Sequence, residues 1–571
     1  MRKHKKLLLI STIAIFSLGI VAFVDNEFKI SKSLDIYISL FKELNYSYVD
    51  DVNPEKLIQT SIDAMLESLD PYTTYIPESE ADNFKFLTTG QYGGIGALIR
   101  KSGDYVVIAE PYENLPAARS GIKAGDIIIE IDGKPVKGKD VSKVSEMLKG
   151  TPETDVIIEV SRPGIEKHIS KKLLRQHITI PNVPYYAIIK DSIGYIRLTN
   201  FTTDAGKDVR EAFTELKKQK AKAVILDLRN NPGGLLNEAV GVVSCFVSKS
   251  QLVVFTKGKV KDSFKKYYTF SEPVDTTMPL AVLVSRGSAS ASEIVAGSLQ
   301  DLDRAIIIGQ RTYGKGLVQQ TRPLSYNTQL KVTTAKYYIP SGRCIQALDY
   351  THRNEDGSVG IIPDSLISEF KTRTGRKVHD GGGVQPDYKI PIERLSDLAF
   401  NLYTKNIIFD FATTYNQTHD TIAKPSRFEI TDAIYNNFTS FLSGKDFEYK
   451  TKTEETLNKL IETAKKEKYY SLAENEIKQL KEKLAHDKNK DLVTFRKEIS
   501  HLLTEEIVTR YYYQKGKIQA SLKDDNELNK ALEVLDKKSD YSLVLAGKLG
   551  DLNKKDKEEV EGETSKKKVN N

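Results

Sequence analysis

Three short runs of uninterrupted apolar residues constrain the fold of this chain most strongly. They are Ala223–Leu226, Leu280–Val284 and Ala305–Ile308, and segments with helical spacing lie between them. A strand that is apolar along its whole length is typical of a parallel sheet covered on both faces, because a half-exposed strand would alternate apolar and polar residues. Residues 171–390 are therefore predicted to form an α/β core with a mainly parallel sheet.

The length of 571 residues leaves room for about four domains at ~150 residues each. Residues 25–85 have apolar positions at helical spacing, and residues 86–170 contain short apolar runs separated by turn signals, which favour a small β-rich domain. Residues 391–550 are rich in Lys and Glu with helical spacing, and residues 551–571 are charged with almost nothing to bury, which predicts a disordered tail. The predicted class is α+β with several domains.

The amino terminus predicts export. Four basic residues within positions 1–6 precede an uncharged, mostly apolar run over 7–24, long enough for a helix of roughly 27 Å. Because basic flanks stay in the cytoplasm, everything after residue 24 is expected on the periplasmic side of the inner membrane, in the cell envelope. Residues 1–24 are a signal anchor or a cleaved signal peptide. The poor match of residues 22–24 to a cleavage site favours the anchor.

The composition argues against two classes of function. A net charge of +7 over the whole chain gives no strong case for nucleic acid as a partner. Cys245 and Cys344 are too few for a disulfide framework or a zinc site of several thiolates. Whether these two cysteines pair is open at this stage.

A serine-rich turn follows one of the predicted buried strands. Ser290 lies in the segment 285–294, between the strand at Leu280–Val284 and a helical pattern, at the sheet edge where open α/β folds bind ligands. The simpler interpretation is structural, since Ser290 and Glu293 have the spacing of a capping box. This segment alone does not decide between a helix cap and a nucleophile.

A serine nucleophile needs a base, and no histidine lies between His177 and His352. Lys315 lies between two glycines after the next predicted strand, so parallel strands would bring it to the same sheet edge as Ser290. A lysine acts as a base when burial lowers its pKa, and Gln319, four residues later, could orient the amine. Residues 309–316 also fit a phosphate-binding loop, but Gly316 lacks the required hydroxyl and the next residues look extended.

Another turn leaves the strand at Ala223–Leu226 and contains Gly233 and Gly234. Paired glycines there could turn backbone N–H groups towards Ser290 as oxyanion donors, although an ordinary Asn-Pro-Gly turn explains the same residues.

Taken together, these segments resemble those of the carboxyl-terminal processing peptidases, or tail-specific proteases, which are Ser–Lys serine endopeptidases. The resemblance covers about residues 30 to 390. Its matching segments are, in order, Leu69–Tyr72, Tyr92–Gly96, Gly121–Asp126, Asp227–Gly234, Gly287–Ile294, Thr312–Gln320, Tyr337–Arg343 and Gly383–Asp387. Residues 347–382 are longer than in the simplest members, and the region after 391 carries no recognisable motif, which leaves substrate access and homo-oligomer formation open.

The resemblance implies a role for each matched residue. Ser290 would be the nucleophile, Lys315 the general base and Gln319 the residue that positions it. The oxyanion hole would use the Ala291 N–H and one of the Gly233–Gly234 pair. Residues 86–170 would be a PDZ domain, in which the loop of Gly93, Gly94, Ile95 and Gly96 captures the free C-terminus of a protein or peptide substrate. The reaction would need no metal and no cofactor.

Two other hypotheses remain at this stage. The chain could be an inactive envelope scaffold that binds partners through the PDZ-like domain and the helical region. It could also be a serine hydrolase that uses a distant histidine, His177 or His352.

Overall fold

The computed structural model describes residues 28–354, 356–445, 447–484 and 487–548. Within them no helix is long and apolar enough to cross a membrane. The predicted anchor at 7–24 and the predicted tail at 551–571 lie outside the described residues. The chain divides into two compact units: residues up to 77 together with 320–333 form the first, and 78–319 together with the residues from 334 onward form the second.

The first unit is mainly helical. Helix α1 covers residues 28–47 of the described chain, α2 spans Pro54–Glu67, and strand β1 spans Thr74–Ile76. The Asn53 side chain caps α2 by accepting the Lys56 N–H at 2.9 Å, as expected for an N-cap asparagine. Strand β1 pairs antiparallel with residues 329–331.

The second unit begins with the predicted β-rich domain, which buries a core of its own. Its sheet has the strand order β3-β4-β5-β7-β8, with β6 paired to β5, which makes β3 an edge strand of the described chain. Helix α3 and strand β2 precede this sheet in the sequence, and β2 pairs antiparallel with β9. The elements are α3 Ala81–Thr89, β2 Gln91–Gly94, β3 Ala97–Ser102, β4 Tyr105–Pro111, α4 Pro116–Arg119, β5 Ile127–Ile131, β6 Lys134–Pro135, α5 Val141–Leu148, β7 Asp155–Ser161, β8 Ile169–Leu174 and β9 Gln176–Thr179.

The core that follows is built on a six-stranded sheet of order β10-β11-β12-β15-β16-β23. Only the β10–β11 pair is antiparallel in this sheet, and the other four pairs are parallel. The elements are β10 Tyr185–Lys190, β11 Ile193–Arg197, α6 Ala205–Lys218, β12 Ala223–Asp227, α7 Leu236–Val243, β13 Leu252–Lys257, β14 Lys265–Tyr268, β15 Leu280–Val284, α8 Ala291–Asp301, β16 Ile306–Gly309, β17 Leu317–Pro323, β18 Gln329–Tyr338, β19 Leu348–Arg353, β20 Val359–Ile361, β21 Glu369–Lys371, β22 Lys377–His379 and β23 Tyr388–Lys389.

Helices cover both faces of this sheet. Alternate residues such as Leu226 and Val282 pack against α6, α7 and α8 on one face. The intervening residues, such as Ile225 and Leu283, face the other way and pack against helices from the carboxyl-terminal region. A strand with both faces buried has no position for a polar side chain, which explains the continuous apolar runs.

The carboxyl-terminal region is helical and has its own hydrophobic core. Its longest helix is kinked at Tyr513, where φ is 53° and ψ is −163°. The elements are α9 Asp397–Thr404, α10 Ile407–Thr418, α11 Asp432–Ser443, α12 Lys452–Lys466, α13 Glu474–Leu484, α14 Lys488–Thr494, α15 Arg496–Ser521, α16 Asn526–Asp536 and α17 Lys538–Leu545. Helices α16 and α17 supply the second cover of the six-stranded sheet.

Candidate active site

Ser290 lies on a strained turn between a buried strand and a helix. It follows β15 and directly precedes α8, and its backbone has φ 54° and ψ −112°. A residue with a side chain occupies this region at a cost of about 1–3 kcal/mol, and such strain is concentrated at functional sites. The turn is held by Ser288, whose hydroxyl donates to the Leu228 carbonyl at 2.8 Å and accepts the Ser285 N–H at 2.9 Å.

The carboxylate of Glu293 connects this turn to the loop that contains Lys315. Its Oε2 atom accepts the Ser290 N–H at 2.8 Å, the bond expected of a capping box, and also the Lys315 N–H at 2.9 Å. Because both nitrogens bond to one oxygen, they are less than about 6 Å apart. The structure therefore brings the backbones of Ser290 and Lys315 together at one sheet edge.

The same carboxylate accepts two further bonds. Its Oε1 atom accepts the Thr312 hydroxyl at 2.6 Å and the Gly314 N–H at 2.7 Å. Glu293 is fully buried, and burial raises its pKa to about 7, although these four donors oppose the shift by stabilising the charged form. The sequence indicated only a helix cap here. Glu293 is a single acidic residue in an otherwise uncharged buried stretch, and this was the signal that could have indicated a role beyond the helix cap.

The glycines on both sides of Lys315 are required by a close approach of the chain segment at 345–347. A Cβ on Gly314, where φ is +88°, would lie 2.4 Å from the Cβ of Ala347, and one on Gly316 would lie 2.8 Å from the Gln346 nitrogen. The Gly316 N–H donates to the Gln346 Oε1 at 2.7 Å. This contact fixes the backbone around Lys315, which is half-buried.

Gln319 is half-buried on β17, four residues beyond Lys315. Lys315 itself lies two residues before β17 begins. The residues of β17 are extended rather than helical, as the sequence indicated when it argued against a phosphate-binding loop.

The two glycines considered for the oxyanion hole have different surroundings. A Cβ on Gly233, where φ is +95°, would lie 2.8 Å from the Ala291 nitrogen and 2.9 Å from the Ser290 Cβ, whereas one on Gly234 would meet the Phe201 carbonyl oxygen at 2.4 Å. Gly233 is therefore the glycine beside Ser290. Its own N–H donates to the Asn231 Oδ1 at 2.9 Å. Ala291 is the first residue of α8, where backbone N–H groups have no acceptor within the helix.

Asn231 joins the glycine loop, residues 228–234, to the serine turn, the segment from Ser285 to Ser290. Its carbonyl accepts the Ala289 N–H at 3.0 Å and the Ser292 hydroxyl at 2.9 Å, so it is bonded to residues on both sides of Ser290. Its amide donates to the Leu198 carbonyl at 2.9 Å. The fully buried Tyr337 adds a bond from its hydroxyl to the Ser290 carbonyl at 3.2 Å. No role for Asn231 or Tyr337 was predicted from the sequence.

The residues considered for peptide binding lie at the start of the β-rich domain. Gly93 and Gly94 belong to β2, where Gly93 is in register with His177 of β9. Ile95 is 3% exposed and belongs to the domain core, and the Gly96 carbonyl accepts the Tyr112 N–H at 2.9 Å. The next element is the edge strand β3, with α5 packed beside it.

The histidines and cysteines can also be placed. His177 is exposed on β9, and His352 is an exposed residue of β19 whose Nδ1 lies 2.8 Å from the Asp349 Oδ2. Cys245 and Cys344 are both free, so the question of their pairing is answered.

Comparison with known proteins identifies the domains. Residues 192–367 match the model of peptidase family S41, residues 107–162 match a PDZ domain, and residues 398–535 match a probable PDZ-protease C-terminal helical domain. A carboxy-terminal-processing protease of Bartonella bacilliformis is 35% identical over 349 residues, which are 60% of this chain and 77% of the relative. The chain belongs to peptidase family S41. It is a carboxy-terminal-processing serine protease with a PDZ domain, as the resemblance implied.

Further relatives cover more of the chain. A probable CtpA-like serine protease of Staphylococcus aureus is 31% identical over 478 residues, which are 80% of this chain and 92% of the relative. Among solved structures, the photosystem II D1 C-terminal processing protease is 29% identical and covers 62% of this chain and 92% of its own, with a TM-score of 0.33. The peptide-bound PDZ domain of a carboxy-terminal protease from Vibrio cholerae is 28% identical and covers 16% of this chain and 99% of its own, with a TM-score of 0.15.

Proposed function

We propose that this S41 protease hydrolyses peptide bonds with Ser290 as nucleophile and Lys315 as general base. The observation that supports it most is the shared Glu293 Oε2 atom, which bonds to the backbone N–H of both residues. The strained backbone of Ser290 at the start of α8 adds to this, because such a turn presents a side chain outward from the sheet edge.

In this mechanism neutral Lys315 takes the proton of the Ser290 hydroxyl as its oxygen attacks the scissile carbonyl carbon. The resulting oxyanion is stabilised by the Ala291 N–H and by a backbone N–H of the Gly233–Gly234 pair, with the N-terminus of α8 favouring negative charge. Lys315 then gives the proton to the leaving amine. Water hydrolyses the acyl-enzyme with the same lysine as base, and Gln319 orients its amine.

The test uses the full chain and an unstructured protein as substrate. Ser290→Ala and Lys315→Ala are expected to lose at least a thousandfold in rate, roughly the loss seen when a nucleophile or its base is removed. Ser358→Ala and Lys377→Ala, on exposed residues outside the site, are the matched controls and should retain full activity. Equal rates for all four variants would refute the dyad.

The same assay separates the alternatives. A histidine-dependent hydrolase would lose activity in His177→Ala or His352→Ala and keep it in Lys315→Ala. An inactive scaffold would show no difference between the unmodified chain and Ser290→Ala. Both histidines are exposed, whereas the backbone N–H groups of Ser290 and Lys315 bond to the same Glu293 oxygen. These observations favour the Ser–Lys proposal.

Substrate selection is proposed to depend on the PDZ domain. A peptide C-terminus would add along the edge strand β3, beside α5, with its carboxylate held by N–H groups of the loop of Gly93, Gly94, Ile95 and Gly96. A fluorescent peptide should bind about 10–100-fold more tightly as the free acid than as the amide, since charged hydrogen bonds are lost on amidation. Equal affinities would contradict tail recognition.

The site of action is proposed to be the cell envelope, on the periplasmic side of the inner membrane, with residues 7–24 as the anchor. The support is the basic flank and the apolar run of the sequence. Protease added to spheroplasts should degrade the chain. Protection until the membrane is lysed would place it in the cytoplasm and overturn the proposal.

A further inference from the structure

The side chain of Arg229, in the glycine loop of the candidate active site, contacts the carboxyl-terminal helical domain. Arg229 lies in this loop, two residues after the end of β12, and its guanidinium bonds to the carboxylate of Asp525 on two nitrogens, at 2.8 and 2.6 Å. It also lies 3.3 Å from the Glu527 Oε2. Asp525 caps α16 by accepting the Leu528 N–H at 2.9 Å, so this contact fixes the start of the helix to the loop.

Arg229 is held on its other side by the peptidase core. The fully buried Asp227 accepts bonds from the Arg229 backbone N–H and side chain, from Arg197 and from the Tyr195 hydroxyl. Burial opposes the charged form of Arg229, but Asp227 and Asp525 outweigh it and raise the pKa of the guanidinium above its ordinary value. The arginine therefore stays charged between two carboxylates that belong to different domains.

A short path of hydrogen bonds leads from Arg229 to Ser290. The Arg229 carbonyl accepts a bond from Arg197 at 2.9 Å, and the next residue, Asn230, donates its N–H to the Ser285 hydroxyl at 2.9 Å. Asn231 follows, and its carbonyl is bonded to the residues on both sides of Ser290. A movement of Arg229 would therefore be transmitted to the glycines and to the serine turn.

Attachment of the helix does not require this charge cluster. Helix α16 already buries Leu528, Ala531, Val534 and Leu535 against the sheet. Removing several charges from water is costly, and apolar residues would often stabilise such a contact as well or better. The bidentate geometry of an arginine and a carboxylate fixes direction as well as distance.

We propose that Asp525 and Glu527 are positioning residues for the peptidase reaction, which act through Arg229 to hold the loop 228–234 beside Ser290. The helical domain would then be part of the catalytic apparatus in addition to a cover for the sheet. This proposal rests on the proposed Ser290–Lys315 chemistry. The clamp, meaning the restraint of the loop 228–234 by Arg229 and the two carboxylates, can be measured without that chemistry.

The test is the double variant Asp525→Asn with Glu527→Gln in the full chain. Asparagine can still cap the helix with its remaining oxygen, but its amide nitrogen cannot accept a bond from Arg229, so the change removes the charge and the bidentate contact. Hydrolysis of a peptide is expected to show a kcat at least tenfold lower with KM within twofold of the unmodified chain. Hydrogen exchange of the peptide that covers residues 228–234 should be at least fivefold faster.

Two control variants separate positioning from stability. Glu533→Gln, on an exposed part of α16, should change neither readout. Leu528→Ala weakens the docking of α16 without touching Arg229, and it should lower the thermal midpoint more than the double variant does while reducing kcat less. If kcat simply followed the thermal midpoint across these variants, the carboxylates would be structural only and the proposal would be wrong.

The outcomes distinguish the two proposals. Unchanged exchange in the double variant would overturn the clamp, and faster exchange with an unchanged kcat would overturn its role in catalysis. If the unmodified chain showed no activity beyond that of Ser290→Ala, the proposed function would fail, while the exchange measurement would still judge the clamp.

Discussion

At the scale of single residues, Glu293 connects the turn of Ser290 to the loop of Lys315, which lies 22 positions after Glu293 in the sequence. A helix cap needs one acceptor, yet this carboxylate accepts four bonds from the serine turn and the lysine loop. Its burial raises the pKa to about 7, so its charge changes near neutral pH.

We expect Glu293→Gln to remove part of the pH dependence of stability. The folded pKa of about 7 lies above the usual value of 4.5, so the folded chain binds this proton more tightly than the unfolded chain. The associated stability is present below about pH 4.5 and is lost as the pH rises through about 7. The free energy of unfolding of the unmodified chain, relative to the variant, should therefore fall by a few kcal/mol between about pH 5 and pH 8.

Urea unfolding followed by circular dichroism suits this measurement, because the chain has no tryptophan. Glu462→Gln, on an exposed position of α12, is the control and should leave the pH dependence unchanged. A difference between the unmodified chain and Glu293→Gln that stayed constant over this range would contradict the assignment.

The variant Gly233→Ala tests whether catalysis needs the close approach of the glycine loop to Ser290. Gly233→Ala would place a Cβ 2.6 Å from the Ala289 carbonyl oxygen, so the serine turn must shift, and we expect peptidase activity to fall at least a hundredfold. Gly375 has the same φ of +95° with open space around it. Gly375→Ala should therefore cost only about 1 kcal/mol of backbone strain and keep the activity. Equal activity of the two variants would show that the close approach has no catalytic importance.

At the scale of elements, α16 and α17 complete the core. They cover the sheet face formed by residues such as Ile225, Leu283 and Ile308, which lies opposite the face covered by α6, α7 and α8. Tyr541 of α17 adds a hydrogen bond, since its hydroxyl accepts the Leu280 N–H at 3.0 Å. These helices lie more than 200 residues after the strands that they cover, and the core is incomplete without them.

Leu528→Ala is expected to lower the free energy of unfolding by about 2–5 kcal/mol, because Leu528 is 3% exposed and its loss leaves a cavity against the sheet. The matched control is Leu472→Ala in the helical domain, where the side chain is 79% exposed and the change should stay within about 0.5 kcal/mol. Equal losses in urea unfolding would argue that α16 does not stabilise the core.

At the scale of the whole molecule, the helical domain contacts both the PDZ domain and the peptidase core. Arg100 of the PDZ domain lies 3.5 Å from the ring centre of Phe409, and Arg510 lies 4.3 Å from it. A Cβ on Gly125 of the PDZ domain would lie 2.4 Å from the Thr413 side chain. The helical domain therefore contacts the PDZ domain as well as the sheet of the peptidase core.

Deletion of residues 391–548 should abolish soluble expression instead of yielding a smaller active enzyme, because it exposes one whole face of the sheet to water. Deletion of 554–571, a charged stretch with almost nothing to bury, is the control and should leave yield and activity unchanged. Size-exclusion chromatography of the soluble fraction measures the yield of both deletion variants, and hydrolysis of a peptide measures their activity. A soluble, monodisperse and active chain that lacks residues 391–548 would contradict this role of the helical domain.

Much of the local structure followed from the sequence. The predicted strand at Leu280–Val284 has the same bounds in the structure, and the strands predicted at Ala223–Leu226 and Ala305–Ile308 agree with the observed strands to within one residue at each end. Apolar runs and turn residues act over a few positions, so they determine where such elements begin and end. The order of the domains and the membership of the protease family were also determined by the sequence, because many motifs occur in one order.

The tertiary structure alone decided which distant groups meet. The second cover of the sheet, the four bonds of Glu293, the choice of Gly233 as the neighbour of Ser290 and the contact of Arg229 with Asp525 all join residues far apart in the chain. Helical spacing shows that α16 has an apolar face but does not show what the face packs against. A buried carboxylate or arginine obtains its role from the partners that folding brings to it, and these are not encoded in its local sequence.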